Sequence, residues 1–201
     1  MELRPDYPVL TDRLTLRPFT ADDIDAMLAY RGRSDVCRYL PFDPQGRAAL
    51  LDRFDSGVLS RTELTAAGQA LTLGAWRRDT GELAGDVILF FHSEEHAGGE
   101  IGWVFDPAHS GQGLATEAAS ALLELAFGGL GLHRVTARLD PRNDRSVALC
   151  ERLGMRREAH FVSCEVFKGE WADLAIYAVL ADEWRAAQGS SSALSPNSCH
   201  R

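Results

Sequence analysis

The residues best suited to chemistry in this chain form one short run, Ser110-Gly111-Gln112-Gly113-Leu114-Ala115-Thr116, set directly before an apolar-periodic segment that reaches Phe127. A glycine loop against a helix start makes an anion site. The first amides of a helix have no partner within it, and the helix dipole leaves about half a positive charge there. Glycines remove the Cβ atoms that would hold a phosphate off the backbone. The run therefore predicts a diphosphate cradle built from the amides of Gly111 to Thr116. A tight turn before a structural helix is the other reading of the same letters. Two phosphate templates can be tested directly. A P-loop needs Gly-Lys-Ser/Thr, and Gly113 is followed by Leu114 and Ala115. A dinucleotide loop needs a third glycine where Thr116 stands and an acid about twenty residues on, where Asp140 comes late. Too little sheet follows it for a doubly wound fold.

The elements that must position this loop follow from periodicity. Arg13 to Phe19 alternates as an edge-type strand, and Thr20 before Asp22 and Asp23 starts a helix whose stripe is Ile24, Met27 and Leu28. A second helical segment covers 46–59. Ala70 to Trp76 and Leu83 to Phe91 form a hairpin around Asp79-Thr80-Gly81. Glu100 to Phe105 is the strand before the loop; Glu100, Gly102 and Val104 share one face, opposite Ile101, Trp103 and Phe105. Arg134 to Leu139 reads as a strand, Ser146 to Leu153 as a helix, and 158–167 with 172–180 as a closing hairpin. The whole is one α/β domain with a mixed sheet over 1–187. Residues 188–201 are small, polar and aperiodic, and read as a disordered tail.

Bulk properties narrow the function. The 201 residues carry a net charge of −8, which disfavours nucleic acid and anionic membrane surfaces as generic partners and suits a cationic acceptor such as an amine. Cys37, Cys150, Cys164 and Cys199 are scattered without a C-x-x-C pair. That argues against a disulfide framework or a zinc site and suits a reduced, cytoplasmic protein. The start, MELRPDYP, lacks the apolar core of a signal peptide, and the apolar run near Val87–Phe91 is too short to span a bilayer. No metal is expected.

The run S-G-Q-G-L-A-T-E-A resembles the coenzyme A loop of GNAT-type N-acetyltransferases, whose pattern is Gln/Arg-x-x-Gly-x-Gly/Ala; Gly113 and Ala115 match, and Ser110 departs from the usual Gln or Arg. Three more blocks are similar to the RimJ/RimL-like branch of that family, in order: TDRLTLRPFTADDIDAML, GLHRVTARLDPRNDRSVALCERLGM and FKGEWADLAIYAVLADEW. The resemblance runs from about Leu10 to Trp184. It implies a single GNAT-like domain, a twisted, mostly antiparallel mixed sheet with flanking helices and two central strands that splay apart. Here those strands are 100–105 and 134–139. It also implies acetyl-CoA as cosubstrate, its pantetheine arm against the main chain of Trp103, Val104 and Phe105, its diphosphate on Ser110 to Thr116. The acceptor would be a primary amine, a peptide or ribosomal-protein N-terminus by branch, a small amine otherwise. Segments 37–65 and 92–99 would shape its pocket. Monomer and homodimer both remain open.

The implied reaction is direct attack of a neutral amine on the thioester. It needs a base, an oxyanion donor and a proton source for the departing thiolate. By resemblance Ser146 of the N-x-x-S pattern would protonate the thiolate, and Glu165 would act as base through water; Glu100 is the second carboxylate for that role. Each has a structural alternative: a helix cap for Ser146, a solvent-facing strand residue for Glu165, an arginine partner for Glu100. Asn143 would bond the pantetheine or cap the helix. Arg152 would reach a phosphate or sit in solvent, and Glu117 suits the helix dipole structurally. Many family members carry a tyrosine where Cys150 stands, so the tyrosine route is absent; Cys150 could replace it only if its thiol faced the coenzyme. His109 and His133 are weaker base candidates. A coenzyme A-binding module without catalysis, and a dinucleotide-dependent enzyme, are the competing readings.

Overall fold

The computed structural model describes residues 1–192. Its centre is one eight-stranded sheet. In chain order the strands are β1 (Val9–Leu10), β2 (Leu14–Arg17), β3 (Ala70–Arg77), β4 (Leu83–Ser93), β5 (Gly98–Phe105), β6 (Arg134–Leu139), β7 (Arg156–Phe167) and β8 (Glu170–Leu180). The spatial order is β1-β2-β3-β4-β5-β6-β8-β7. Every neighbouring pair is antiparallel except β5 and β6. That one parallel step follows from the connection: a parallel neighbour requires a crossover, and the helix after the glycine loop supplies it.

The helices are α1 (Ile24–Arg31), α2 (Ser34–Cys37), α3 (Arg47–Asp55), α4 (Leu114–Glu124), α5 (Asp144–Arg152) and α6 (Ala181–Ser192). They cover both sheet faces. On one, Leu114, Ala118, Ala119, Leu122 and Leu123 form the buried stripe of α4 against Leu73, Leu89, Ile101 and Val135. Leu149 and Cys150 of α5 join this core. On the other face, Ile24, Met27 and Tyr30 of α1 and Leu50 of α3 pack with Phe19, Leu59 and Val104. The alternation in β5 thus puts Trp103 on the α4–α5 side and Val104 on the α1–α3 side.

The expected strands and helices are present with bounds shifted by a few residues. The 46–59 helix is shorter, stopping at Asp55, because the chain turns at Ser56 and Gly57, the latter at φ +82°. β1, α2 and α6 were not foreseen: two of them are too short for a periodic signal. The backbone of α6 extends to Ser192; beyond it, the tail expected over 188–201 lies outside the described residues. Among the described residues no helix is long and apolar enough to cross a membrane.

The parallel step controls the architecture. Pairing of β5 with β6 covers Gly98–Arg134, Gly99–Val135 and Glu100–Thr136, and stops there. β5 continues to Phe105 along β4, and β6 to Leu139 along β8. The two strands part, as the family resemblance implied, and a gap opens through the middle of the sheet.

A buried ion pair fixes the α1 side. Arg31 Nη2 meets Asp86 Oδ2 at 2.5 Å with both side chains nearly solvent-free, and the Tyr30 hydroxyl donates to the same carboxylate. Burial, then the Asp86 charge, push the Tyr30 pKa well up, so the phenol stays a donor. Arg31 also donates to Gln45 Oε1 at 3.2 Å, and its carbonyl accepts from the Gln45 amide at 2.9 Å. The pair thereby ties the 38–46 connection to β4. Asp86→Ala leaves Arg31 buried and unpaired and should cost about 3–5 kcal/mol in chemical denaturation. Tyr30→Phe with Arg31→Met and Asp86→Leu should recover most of that loss, because no charge is then left without a partner.

Candidate active site

The glycine loop sits at the mouth of the gap. Asp106 follows β5 and accepts from the Ala108 amide at 2.9 Å, capping a single 3-10 turn over Pro107–His109. Gly111 and Gly113 then adopt φ of +76° and +77°, the left-handed region that explains why glycine stands at both positions. Gly113 is itself the residue at the N-cap of α4, and among the described residues no side-chain cap bond is made there. The first-turn amides of α4 therefore have neither an intrahelical partner nor a side-chain cap.

The loop is held from two sides. On one, Arg13 Nη1 donates to the Gln112 carbonyl at 2.7 Å. Glu117 anchors Arg13: its carboxylate accepts from Thr11 Oγ1 at 2.6 Å, the Arg13 amide at 2.8 Å and Arg13 Nε at 2.7 Å. Glu117 is thus the structural residue its first-turn position suggested. On the other side, two arginines of α5 reach the loop. Arg145 Nη1 donates to Ser110 Oγ at 3.3 Å, and Arg152 Nε to Thr116 Oγ1 at 3.1 Å. Two guanidinium groups beside an uncapped helix start suit a diphosphate. Arg145 was missed in the sequence because only the three-dimensional approach of α5 to the loop reveals it.

Asn143 is the cap of α5: its Oδ1 accepts from the Ser146 amide at 3.3 Å. Ser146 in turn faces β5, where Trp103 Nε1 donates to Ser146 Oγ at 3.1 Å. Cys150 lies in the core, and burial pushes its thiol pKa up to about 12. It stays a thiol and belongs to the packing.

The opposite face of the sheet carries a cleft of about 540 Å3. Glu100 of β5 and Glu165 of β7 both line it, with Tyr39, Phe42 and Asp43 on one wall and Arg138 and Asp140 at the end of β6. The wall comes from the 37–65 segment; the 92–99 loop, also expected to shape an acceptor pocket, does not line this cleft. Lys168 closes one end. Its Nζ donates to the carbonyls of Cys37 at 2.6 Å and Phe42 at 3.1 Å, strapping the β7–β8 turn to the 38–46 connection. Several acids of the cleft have structural duties. Asp140 accepts from Arg142 Nη2 at 2.6 Å, and Asp173 from the Ser163 amide at 2.8 Å. Glu100 faces His92 Nε2 at 3.3 Å, not an arginine. Among the described residues Glu165 has no ion-pair partner. His109 and His133 lie away from this cleft's lining. Among the described residues, no group of three or more His, Cys, Asp or Glu is placed to hold a metal ion.

Burial of the Glu117 carboxyl opposes its ionisation, yet the bonds from Thr11 and Arg13 prevail and hold its pKa below the usual glutamate value. A lowered folded-state pKa gives stability that is present above the unfolded value, about pH 4.3, and lost as pH falls through the folded value. Glu117→Gln should therefore cost about 1–2 kcal/mol near neutrality. In urea titrations, the difference from the unmodified chain should close on acidification below about pH 4.

Comparison with known proteins gives this geometry a family. The family model for the acetyltransferase (GNAT) domain matches residues 13–156. The N-acetyltransferase YnaD of Bacillus subtilis (strain 168) is 33% identical over 179 residues, covering 88% of this chain and 98% of that protein. A GNAT-family acetyltransferase from Bacillus anthracis superposes with a TM-score of 0.76 at 29% identity, over 90% of this chain and 99% of that one. The spermidine N-acetyltransferase of Vibrio cholerae, solved with CoA and spermine, shares the fold with a TM-score of 0.74 at 20% identity, over 87% and 99% of the two chains.

Proposed function

The chain belongs to the GNAT acetyltransferase family, and from that membership we propose that it transfers the acetyl group of acetyl-CoA to a primary amine by direct attack on the thioester. The observation that carries this reading is the gap between β5 and β6. On one face it is flanked by the uncapped start of α4 and by Ser146; on the other it meets a cleft lined by Glu100 and Glu165. A donor can then be held on the first face and an acceptor on the second.

The residues fit coenzyme A. The amides from Gly111 to Thr116, with Arg145 and Arg152, would hold its diphosphate, and the unpaired edge of β5 from Trp103 to Phe105 would receive the pantetheine arm as an added strand does. Acetyl-CoA supplies the activated acyl group. Glu165 takes the amine proton through water, with Glu100 as the second carboxylate in reach of the same cleft. Holding the two reactants across the gap contributes by positioning, and each proton transfer adds about 10²–10⁴-fold. Ser146 serves the leaving sulfur.

For the acceptor, the net charge of −8 and the acids of the cleft favour a cationic amine. The resemblance to the RimJ/RimL-like branch supports a peptide N-terminus. The fold shared with an enzyme solved with spermine supports a polyamine as the other class to assay.

Release of coenzyme A thiol, followed with peptides bearing free N-termini and with polyamines, tests the reading. Amine-dependent release is expected; tight binding of coenzyme A in calorimetry with no release from any amine would make the chain a binding module instead. Glu165→Gln should lower kcat about 100-fold or more, with coenzyme affinity intact. An unchanged kcat would transfer the base role to Glu100.

A further inference from the structure

We infer that the Trp103 indole is a positioning residue that fixes the direction of the Ser146 hydroxyl, and so makes that hydroxyl a donor toward the gap. The inference rests on the proposed role of Ser146 at the leaving sulfur and adds a residue that acts through it. Trp103 enters the family resemblance only through its main chain; the side chain is a separate matter.

The chemistry follows from which groups can donate. An indole N–H donates and cannot accept, whereas a serine hydroxyl has one proton and two lone pairs. The 3.1 Å contact between Trp103 Nε1 and Ser146 Oγ therefore has one polarity, with Ser146 accepting. One lone pair of Oγ is occupied and its proton is left for another partner. A serine within a helix ordinarily turns that proton back on a carbonyl of the preceding turn. Among the described residues the Ser146 hydroxyl donates to no protein atom. Its backbone is fixed as well, since the Ser146 amide donates to Asn143 Oδ1 at 3.3 Å and to the Asn143 carbonyl at 3.0 Å. Trp103 is itself held, packed against the α4–α5 core on β5 just past the last paired residue, Glu100. A rigid strand residue thus reaches across the gap to a helix-start hydroxyl and occupies one of its lone pairs, leaving the proton and the other lone pair uncommitted.

The step this serves balances as follows. The neutral amine nitrogen bonds to the acyl carbon, and the carbon–sulfur bond breaks with its electron pair on sulfur. The surplus proton on nitrogen passes to the carboxylate by way of water. The sulfur takes the Ser146 proton, and the serine oxygen regains one from solvent. An indole donating to Oγ helps twice: it aims the O–H and stabilises the negative charge that grows on oxygen as the proton leaves.

Trp103→Phe keeps a ring on β5 and removes the donor. It should lower kcat about tenfold, the loss of one neutral hydrogen bond, with KM for acetyl-CoA little changed. Ser146→Ala should lower kcat at least as much, and the double variant should be no slower than Ser146→Ala alone, because the indole acts only through the hydroxyl. With the selenoester of coenzyme A, whose selenolate departs without a proton, both deficits should shrink together. Should Trp103→Phe fail to fold, the benzothienyl analogue of tryptophan at 103, which exchanges the N–H for sulfur in the same shape, gives the same readout. Additive losses, or a Trp103→Phe deficit that persists with the selenoester, would overturn the positioning role while leaving Ser146 in place. Full activity of Ser146→Ala would instead overturn the reading of Ser146 on which the inference rests.

Discussion

Everything in this molecule turns on three residue pairs. β5 and β6 are joined by Gly98–Arg134, Gly99–Val135 and Glu100–Thr136 and then separate. An open strand edge inside a sheet is costly unless something pairs with it, since each backbone donor and acceptor left dry loses a hydrogen bond. Here each strand keeps its other neighbour, β4 for β5 and β8 for β6, so the sheet survives the opening. What remains is a slot with free backbone groups that connects the two faces of the domain. The helix that makes the parallel step begins at that slot, which is why a phosphate-type helix start and an open strand edge adjoin.

The charged residues divide between holding this arrangement and being left for work. Asp86 is spent on Arg31, Glu117 on Arg13 and Thr11, Asp140 on Arg142, and Asp173 on His160 and the Ser163 amide. Each fixes a segment that borders the site: the α1 end, the glycine loop, the end of β6, and the β7–β8 hairpin. Glu165 has no such commitment among the described residues, and Glu100 has only the longer contact to His92. A carboxylate already satisfied by several donors is a poor proton acceptor, so the division by itself favours the last two for proposed acid–base roles.

The legibility of the sequence followed the same physics. The glycine loop could be read because left-handed backbone at 111 and 113 demands a residue type that stands out. The helix α4 could be read because its buried stripe has a 3.6-residue period, and the hairpins because β3 and β4 alternate around a turn with glycine at φ +75°. The contacts that complete the site have no such local signature. Trp103 and Ser146 lie 43 residues apart and Arg145 and Ser110 lie 35 apart. Lys168 reaches 131 residues back to the Cys37 carbonyl. The cleft wall from Tyr39 to Asp43 is irregular backbone, held by the Arg31–Asp86 pair and the Lys168 strap, and neither periodicity nor motif announces it. The position of Cys150 in the core likewise became visible only once α5 was packed.

The central claim is that the gap between β5 and β6 joins a donor held on one face to an acceptor held on the other. A crystal structure of the chain with coenzyme A bound tests it most directly. The account predicts the diphosphate on the amides of Gly111 to Thr116 between Arg145 and Arg152, the pantetheine arm along Trp103 to Phe105, and the sulfur within hydrogen-bond reach of Ser146 Oγ. Coenzyme A bound elsewhere, or seated on the loop with its sulfur directed away from the gap, would contradict it.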